Sequence, residues 1–240
     1  MSTPAAMTHP PQRSFKPRRR SLSMTRLDSY ERSMTRWGLP VEGPQLAFGE
    51  IFGPAFGAAA DVVLDIGFGG GEALIELAEL RPNECVIGID VHTPGVAAVL
   101  EAVEARGLRN VRVVEGDAMD FVARIPARSL AAMRVFFPDP WPKRRQRKRR
   151  LIRPDIVTQL ARLLRDEGTI HMATDSAEYA ERMREVCDAD VGLSGGVIDR
   201  PAWRPITRFE QRGVDEGRCA VDLLYSTSPS SLSASSSAPM

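Results

Sequence analysis

The sequence is poor in the residue types that build disulfide frameworks and metal centres. Its 240 residues include only three cysteines, Cys85, Cys187 and Cys219, and three histidines, His9, His92 and His171. The cysteines are odd in number, far apart and without CxxC spacing, which suggests neither a disulfide framework nor a zinc site; reduced, buried thiols are expected. No histidine stands at a metal spacing from a second ligand, so no metal and no catalytic histidine is assigned. Aromatic residues make up only 6%. No stretch approaches the roughly 18–20 uninterrupted apolar residues of a bilayer-spanning helix, and the first 25 residues lack the apolar core of a secretory signal. The expectation is a cytoplasmic protein with no membrane partner.

Net charge is also scarce, at +1, but this total conceals a segregation. Residues 1–36 carry +6 and residues 143–153, KRRQRKRRLIR, carry +8, so the other 193 residues carry −13. A basic tail and a basic loop on an acidic body point to a polyanionic partner met at particular places. Basic runs can also be merely solvated. That reading suits the N-terminal run better than the second run, which lies mid-chain between ordered elements.

The chain divides into three parts. Residues 1–35, rich in Ser, Pro, Arg and Met without a helical or strand period, are expected to be mostly disordered, as are the low-complexity residues 226–240. Residues 36–225 read as one domain. Five short apolar runs, at 62–67, 85–90, 111–117, 130–137 and 169–174, read as strands buried on both faces. Helix-like segments alternate with them at 72–80, 94–106, 118–124 and 154–165, and another follows at 177–187. This alternation describes an α/β, doubly wound and mostly parallel sheet, with residues 218–225 as a late strand at or near an edge.

The first strand ends in Asp65-Ile66-Gly67-Phe68-Gly69-Gly70-Gly71-Glu72. Gly67, Gly69 and Gly71 let the backbone turn sharply and approach a ligand. The spacing is GxGxG with Glu72 where the dinucleotide fingerprint has its third glycine, and a pyrophosphate would be repelled by that carboxylate. A cationic donor such as S-adenosylmethionine tolerates Asp65 and Glu72. A dinucleotide, or a tight turn with no ligand, remains open from this loop alone. Asp90, ending the second strand, can accept both ribose hydroxyls of either cofactor. Asp117, before Ala118 at the end of the third, can take an adenine amine, cap the next helix, or do both.

The fourth strand runs into Phe136-Phe137-Pro138-Asp139-Pro140-Trp141-Pro142-Lys143, a stiff extended loop at the carboxyl edge of the sheet that opens directly into the bases. With the glycine loop, Lys148-Arg149-Arg150, His171-Met172-Ala173-Thr174-Asp175 and Thr207-Arg208-Phe209-Glu210-Gln211-Arg212-Gly213, it closely resembles the bacterial tRNA (guanine-N7-)-methyltransferase family over roughly residues 40–225. The resemblance implies a class I (Rossmann-like) methyltransferase fold, S-adenosyl-L-methionine as donor, and methylation of guanine N7 in the tRNA variable loop, at position 46. It implies donor-site roles for Asp65, Asp90, Asp117 and Asp139 with Gly67, Gly69, Gly71 and Ala118 around them. Substrate roles fall to Lys143, Asp175, Thr207, Arg208, Phe209 and Glu210, and RNA contact to Arg145, Gln146, Arg147, Lys148, Arg149 and Arg150. Gln146 stands where the family usually has His, so no imidazole role is carried over, and Asp65 and Asp90 are one methylene shorter than the family's frequent Glu.

Guanine N7 carries an exposed lone pair, so methyl transfer needs no prior proton removal, and positioning carries much of the rate. A fixed carboxylate such as Asp139, taken as the catalytic residue, can stabilise the purine's developing positive charge or orient base or donor. Asp175 and Glu210 are candidates for the guanine N1–H and N2–H donors. Thr207-x-x-Glu210 also reads as a capping box, and Trp141 can stack on a base or pack beneath its loop. The rival functions are an NAD-dependent oxidoreductase, a methyltransferase for another RNA or a small molecule, and a non-enzymatic RNA-binding protein. No obligatory protein partner is implied, and a monomer or homodimer is expected.

Overall fold

The computed structural model describes residues 23–57 and 60–229. The expectation of disorder for residues 1–22 and 230–240 lies outside the described residues. Strands β1 (Asp61–Ile66), β2 (Glu84–Asp90), β3 (Val111–Glu115), β4 (Leu130–Phe136), β5 (Leu164–Thr174), β6 (Leu193–Ile198) and β7 (Val221–Thr227) form one sheet in the order β3-β2-β1-β4-β5-β7-β6. The first five are parallel, and β7 runs antiparallel to both β5 and β6.

Helices α1 (Met24–Trp37), α3 (Glu72–Leu80) and α4 (Thr93–Arg106) bury one sheet face, through Trp37, Leu74, Ile75, Val96 and Leu100. On the other face lie α5 (Ala118–Phe121), α6 (Pro154–Ala161) and α7 (Ala177–Asp188), through Phe121, Leu160, Tyr179 and Met183. Two short helices, α2 (Phe48–Phe52) and α8 (Arg208–Asp215), complete the set. Helix starts and stops follow local chemistry. Pro94 and Pro154 occupy first-turn positions where a missing N–H costs nothing, and Gly107 ends α4 in a left-handed conformation. The Ser176 hydroxyl caps α7 by accepting from the Tyr179 amide at 3.3 Å.

The structure corrects several expectations. Order begins before residue 36. The α1 helix places Tyr30, Met34 and Trp37 on one face, a spacing of four then three, and seats them on α4 and β3. Arg26 pairs with Glu101 at 2.7 Å, and the Tyr30 hydroxyl donates to Glu115. The bases of this segment occupy the outward side, which masked the apolar stripe. At the other end, β7 runs on to Thr227 and lies near the edge as expected, but β6, unanticipated, pairs outside it as the edge strand itself. The fourth helical segment stops at Ala161, and β5 begins at Leu164. Cys85 and Cys187 are buried, whereas Cys219 is exposed. No helix among the described residues is long and apolar enough to cross a membrane.

The chain order reverses at β1, whose neighbours are β2 and β4, so the loops leaving β1 and β4 diverge and leave a crevice at their carboxyl ends. Both conspicuous sequence motifs are those loops.

Candidate active site

Two adjoining cavities fill this crevice. The first, about 220 Å³, is lined by Gly67, Asp90, Asp117, Ala118, Phe137 and Asp139 among others; the second, about 240 Å³, by Asp65, Gly69, Glu72, Phe137, Thr207 and Phe209 among others. Gly67 and Phe137 belong to both walls. Asp139 is exposed at the first cavity, which Asp90 and Asp117 also line. The first cavity has three carboxylates in its wall and no Lys or Arg, an arrangement suited to a cationic or neutral ligand and unsuited to a pyrophosphate.

The three glycines differ in what they do. Gly67 (φ 76°) and Gly69 (φ 60°) face open space, with no heavy atom within 4 Å of where a Cβ would stand. Gly71 (φ 81°) instead precedes α3 and lies against α4, where a Cβ would come within 2.0 Å of Val99 Cγ2. Gly71→Ala is therefore expected to cost about 2–4 kcal/mol, from left-handed backbone strain and overpacking together. Gly67→Ala and Gly69→Ala are expected to lose only about 1–2 kcal/mol, but to obstruct the ligand. Thermal melting beside ligand titration separates the two classes.

Asp90 shapes the glycine loop. Its carboxylate accepts from the Gly69 and His92 amides, each at 2.7 Å, leaving about two of its four lone pairs for a ligand's hydroxyls. Burial raises its pKa, and those amide bonds oppose the rise. Asp65 is buried at the crevice floor. Burial pushes its carboxyl up to about 6, with Arg134 on the adjacent strand pulling it down and Asp90 pushing it further up. Asp117 accepts from the Met119 amide at 3.0 Å, so it caps α5 while lining the first cavity.

The wall between the cavities is a strained loop. Phe137 (φ 54°) and Trp141 (φ 42°) are left-handed, a conformation costing about 1–2 kcal/mol per non-glycine residue. Three prolines hold it, as do the Phe137 amide donating to Ala173 O at 2.7 Å and Arg150 Nε donating to Pro140 O at 2.8 Å. Beyond it, Arg144–Arg149 form a 3₁₀ helix with no buried residue. Lys143, Arg145, Arg147 and Lys148 are exposed, and Gln146 is half-buried. The Arg149 guanidinium lies 4.2 Å from the Trp141 ring centroid, giving the indole a packing partner within its own loop. Arg150 is turned inward. It is 3% exposed, pairs with Glu178 and covers the Tyr179 ring at 4.6 Å, so it holds the loop down instead of facing outward with its neighbours.

The substrate candidates also separate. Thr207, Arg208 and Phe209 line the second cavity: Arg208 pairs with Glu72 at 3.2 Å, and Phe209, half exposed, packs 5.4 Å from Phe137. Glu210 is buried and held by both terminal nitrogens of Arg204 at 2.7 Å. Half of the capping box exists. Thr207 Oγ1 accepts from the Glu210 amide at 3.1 Å, while the Glu210 carboxylate goes to arginine. Asp175 pairs with Arg218 at 2.7 Å and lines neither cavity. Sequence reasoning missed Arg204 and gave Phe137 no role; an arginine immediately before Pro205 and the Thr207 motif was the only available signal.

Comparison with known proteins decides the family. Residues 59–223 match a family described as "Putative methyltransferase". The tRNA (guanine-N(7)-)-methyltransferase of Streptomyces avermitilis is 42% identical over 89% of this chain and 74% of its own length. That of Nitrosospira multiformis is 39% identical over 90% of this chain and 95% of its own length. This chain belongs to the tRNA (guanine-N(7)-)-methyltransferase family. The fold has a counterpart in the aminoglycoside resistance methyltransferase NpmB1, at a TM-score of 0.53 and 20% identity, covering 76% of this chain and 94% of that one. The crevice and its basic margin are contiguous: Asp139 lines the former, and Lys143, four residues on, begins the latter.

Proposed function

We infer that this protein transfers a methyl group from S-adenosylmethionine to N7 of a guanine in tRNA, and that this guanine lies in the variable loop. One observation carries the reading: a crevice walled by carboxylates continues, through a single stiff loop, into an exposed basic strip. The crevice suits the donor. Gly67 and Gly69 leave room for close approach, Asp90 and Asp117 offer acceptors for a ribose and an adenine amine, and Asp65 lines the adjoining cavity. When bound, S-adenosylmethionine supplies a methyl group on a cationic sulfonium. Asp65 and Asp139 provide negative charge on either side of Phe137, and Thr207, Arg208 and Phe209 form the wall against which a base can be oriented. The basic strip meets phosphates, fixing the RNA's position without reading its sequence. We place the activity in the cytoplasm and assign no obligatory protein partner to a monomer or homodimer.

Incubation with unmodified tRNA and labelled donor, followed by nuclease digestion, tests this. The expected product is 7-methylguanosine at one variable-loop position; any other methylated nucleoside overturns the reading.

Asp65 gives a pH prediction. It attracts a cationic donor only when ionised, so donor affinity should be flat above about pH 6. Below that it should weaken toward a limit of about tenfold per pH unit. The same raised pKa acts oppositely on folding, because the folded state binds the extra proton. Its stabilising contribution is present at low pH and lost as pH rises through about 6. Donor titrations from pH 5 to 8 check the binding sign, and a pH-independent affinity rejects Asp65 as a donor contact.

A further inference from the structure

The helix that walls the second cavity has almost nothing apolar holding it in place. In α8 the buried residues are Glu210 and Gly213, while Phe209 and Val214 are both about half exposed. Burial of hydrocarbon, the usual source of helix docking, is therefore a minor contributor. What anchors α8 is Arg204, a fully buried arginine in the preceding loop.

Its guanidinium grips both Glu210 oxygens at 2.7 Å and donates from Nη2 to Asp222 Oδ2 at 2.9 Å. Asp222, on β7, is held in turn by His171 Nε2 of β5 at 2.7 Å. The guanidinium also sits 5.6 Å from the ring centroids of both Phe136 and Phe137. One side chain thus ties α8 to the sheet and to the wall dividing the two cavities. Glu210 is fixed at both ends, its amide by the Thr207 hydroxyl and its carboxylate by both terminal nitrogens of Arg204, with Arg200 Nε 3.3 Å away as a weaker second partner. To reach a guanine it would have to abandon two charge-assisted bonds and leave Arg204 buried without them.

We propose that Arg204 is a positioning residue for methyl transfer, and that Glu210 acts through Arg204, setting the place of Thr207, Arg208 and Phe209, instead of touching the base. The proposal rests on the guanine-N7 reading above. It reassigns Glu210 and adds a residue that the motifs did not single out.

The test uses full-length protein and four variants: Arg204→Lys, Arg204→Met, Glu210→Gln and the double Arg204→Met/Glu210→Gln. Lysine keeps the charge but has no planar fork to grip a carboxylate with two bonds. Displacing a reacting group by about 1 Å costs on the order of 100-fold. The kcat/KM for tRNA is therefore expected to fall about 100-fold in Arg204→Met and Glu210→Gln and about 10-fold or more in Arg204→Lys. The dissociation constant for S-adenosylmethionine should stay within about twofold throughout. The double variant is expected to be little worse than the worse single one, since the proposal routes the effect of Glu210 through its contact with Arg204.

Multiplicative losses in the double variant would mean that Glu210 does not act through Arg204, and would overturn the proposal. So would an Arg204→Lys variant with wild-type kinetics, or one whose donor affinity and melting temperature fall together with its rate. If Arg204→Met does not fold, Arg204→Lys, Glu210→Gln and their combination carry the same comparison. A wild-type protein that forms no 7-methylguanosine overturns the functional reading and this inference with it. An active wild type with additive variants overturns this inference alone.

Discussion

Asp139→Ala is expected to lower turnover by about 10²–10³ while leaving tRNA affinity within about threefold, a loss comparable to removing one preorganised electrostatic group from a transition state. The residue leaves a proline-locked loop at the first cavity, beside the Phe137 wall that both cavities share. Prolines on both sides remove much of the freedom that an exposed aspartate would otherwise have to lose. Its negative charge is therefore already in place when the guanine ring becomes cationic. The exposed basic strip begins at Lys143 and is chemically untouched by the substitution, so RNA capture should survive. Single-turnover methylation and a tRNA titration give the two quantities, and a donor titration adds a third. A turnover near that of the wild type rejects the catalytic role. A donor dissociation constant rising in step with the lost rate would instead make Asp139 a donor-binding group.

Arg144→Ala/Arg145→Ala/Lys148→Ala should act on the opposite side of this ledger. The three side chains are exposed on a 3₁₀ helix that buries none of its residues. If all three meet phosphates, the slope of log affinity against log salt should flatten by about 2–3, since each neutralised phosphate contributes roughly 0.7–0.9. Affinity at low salt should fall by about 10–100-fold, with turnover at saturating tRNA little changed. An unaltered slope would show that the strip does not touch phosphate. Arg150→Ala belongs to another class despite its place in the same run. It removes a side chain packed on Tyr179 and bonded to Pro140, so its first effect should be on loop order and stability.

Much of this was legible in the letters. Gly67 and Gly69 lie where a strand of apolar residues stops and a helix of period 3.6 begins, and a turn that tight admits few alternatives to glycine. Asp65, Asp90 and Asp117 fall within two residues of successive strand ends, so a parallel sheet brings them to one edge whatever the details of packing. Two elements were not legible. In α1 the apolar face is only Tyr30, Met34 and Trp37 among many bases, and it makes sense as a helix only once α4 and β3 are there to receive it. In β6 the two glycines weaken any strand signal. Gly195 is there because the neighbouring strand leaves no room, a Cβ coming within 2.0 Å of Leu224 O.

The order of residues was enough to specify the alternation of strands and helices, the crevice at the reversal of strand order, and the presence of carboxylates and bases beside it. These follow from local periodicity and turn chemistry, which act over a few residues. Which charges remain available was decided by the fold. Arg149 and Arg150 are adjacent and identical in type, yet Arg150 is drawn inward to Glu178 and Tyr179. Glu210 is spent on Arg204, and Asp175 on Arg218. A buried polar or charged group needs a partner within a few ångströms, and the partner can be dozens of residues away along the chain, as His171 is for buried Asp222; the more exposed pair of Asp175 and Arg218 is likewise distant in sequence. Only the packed sheet brings them together.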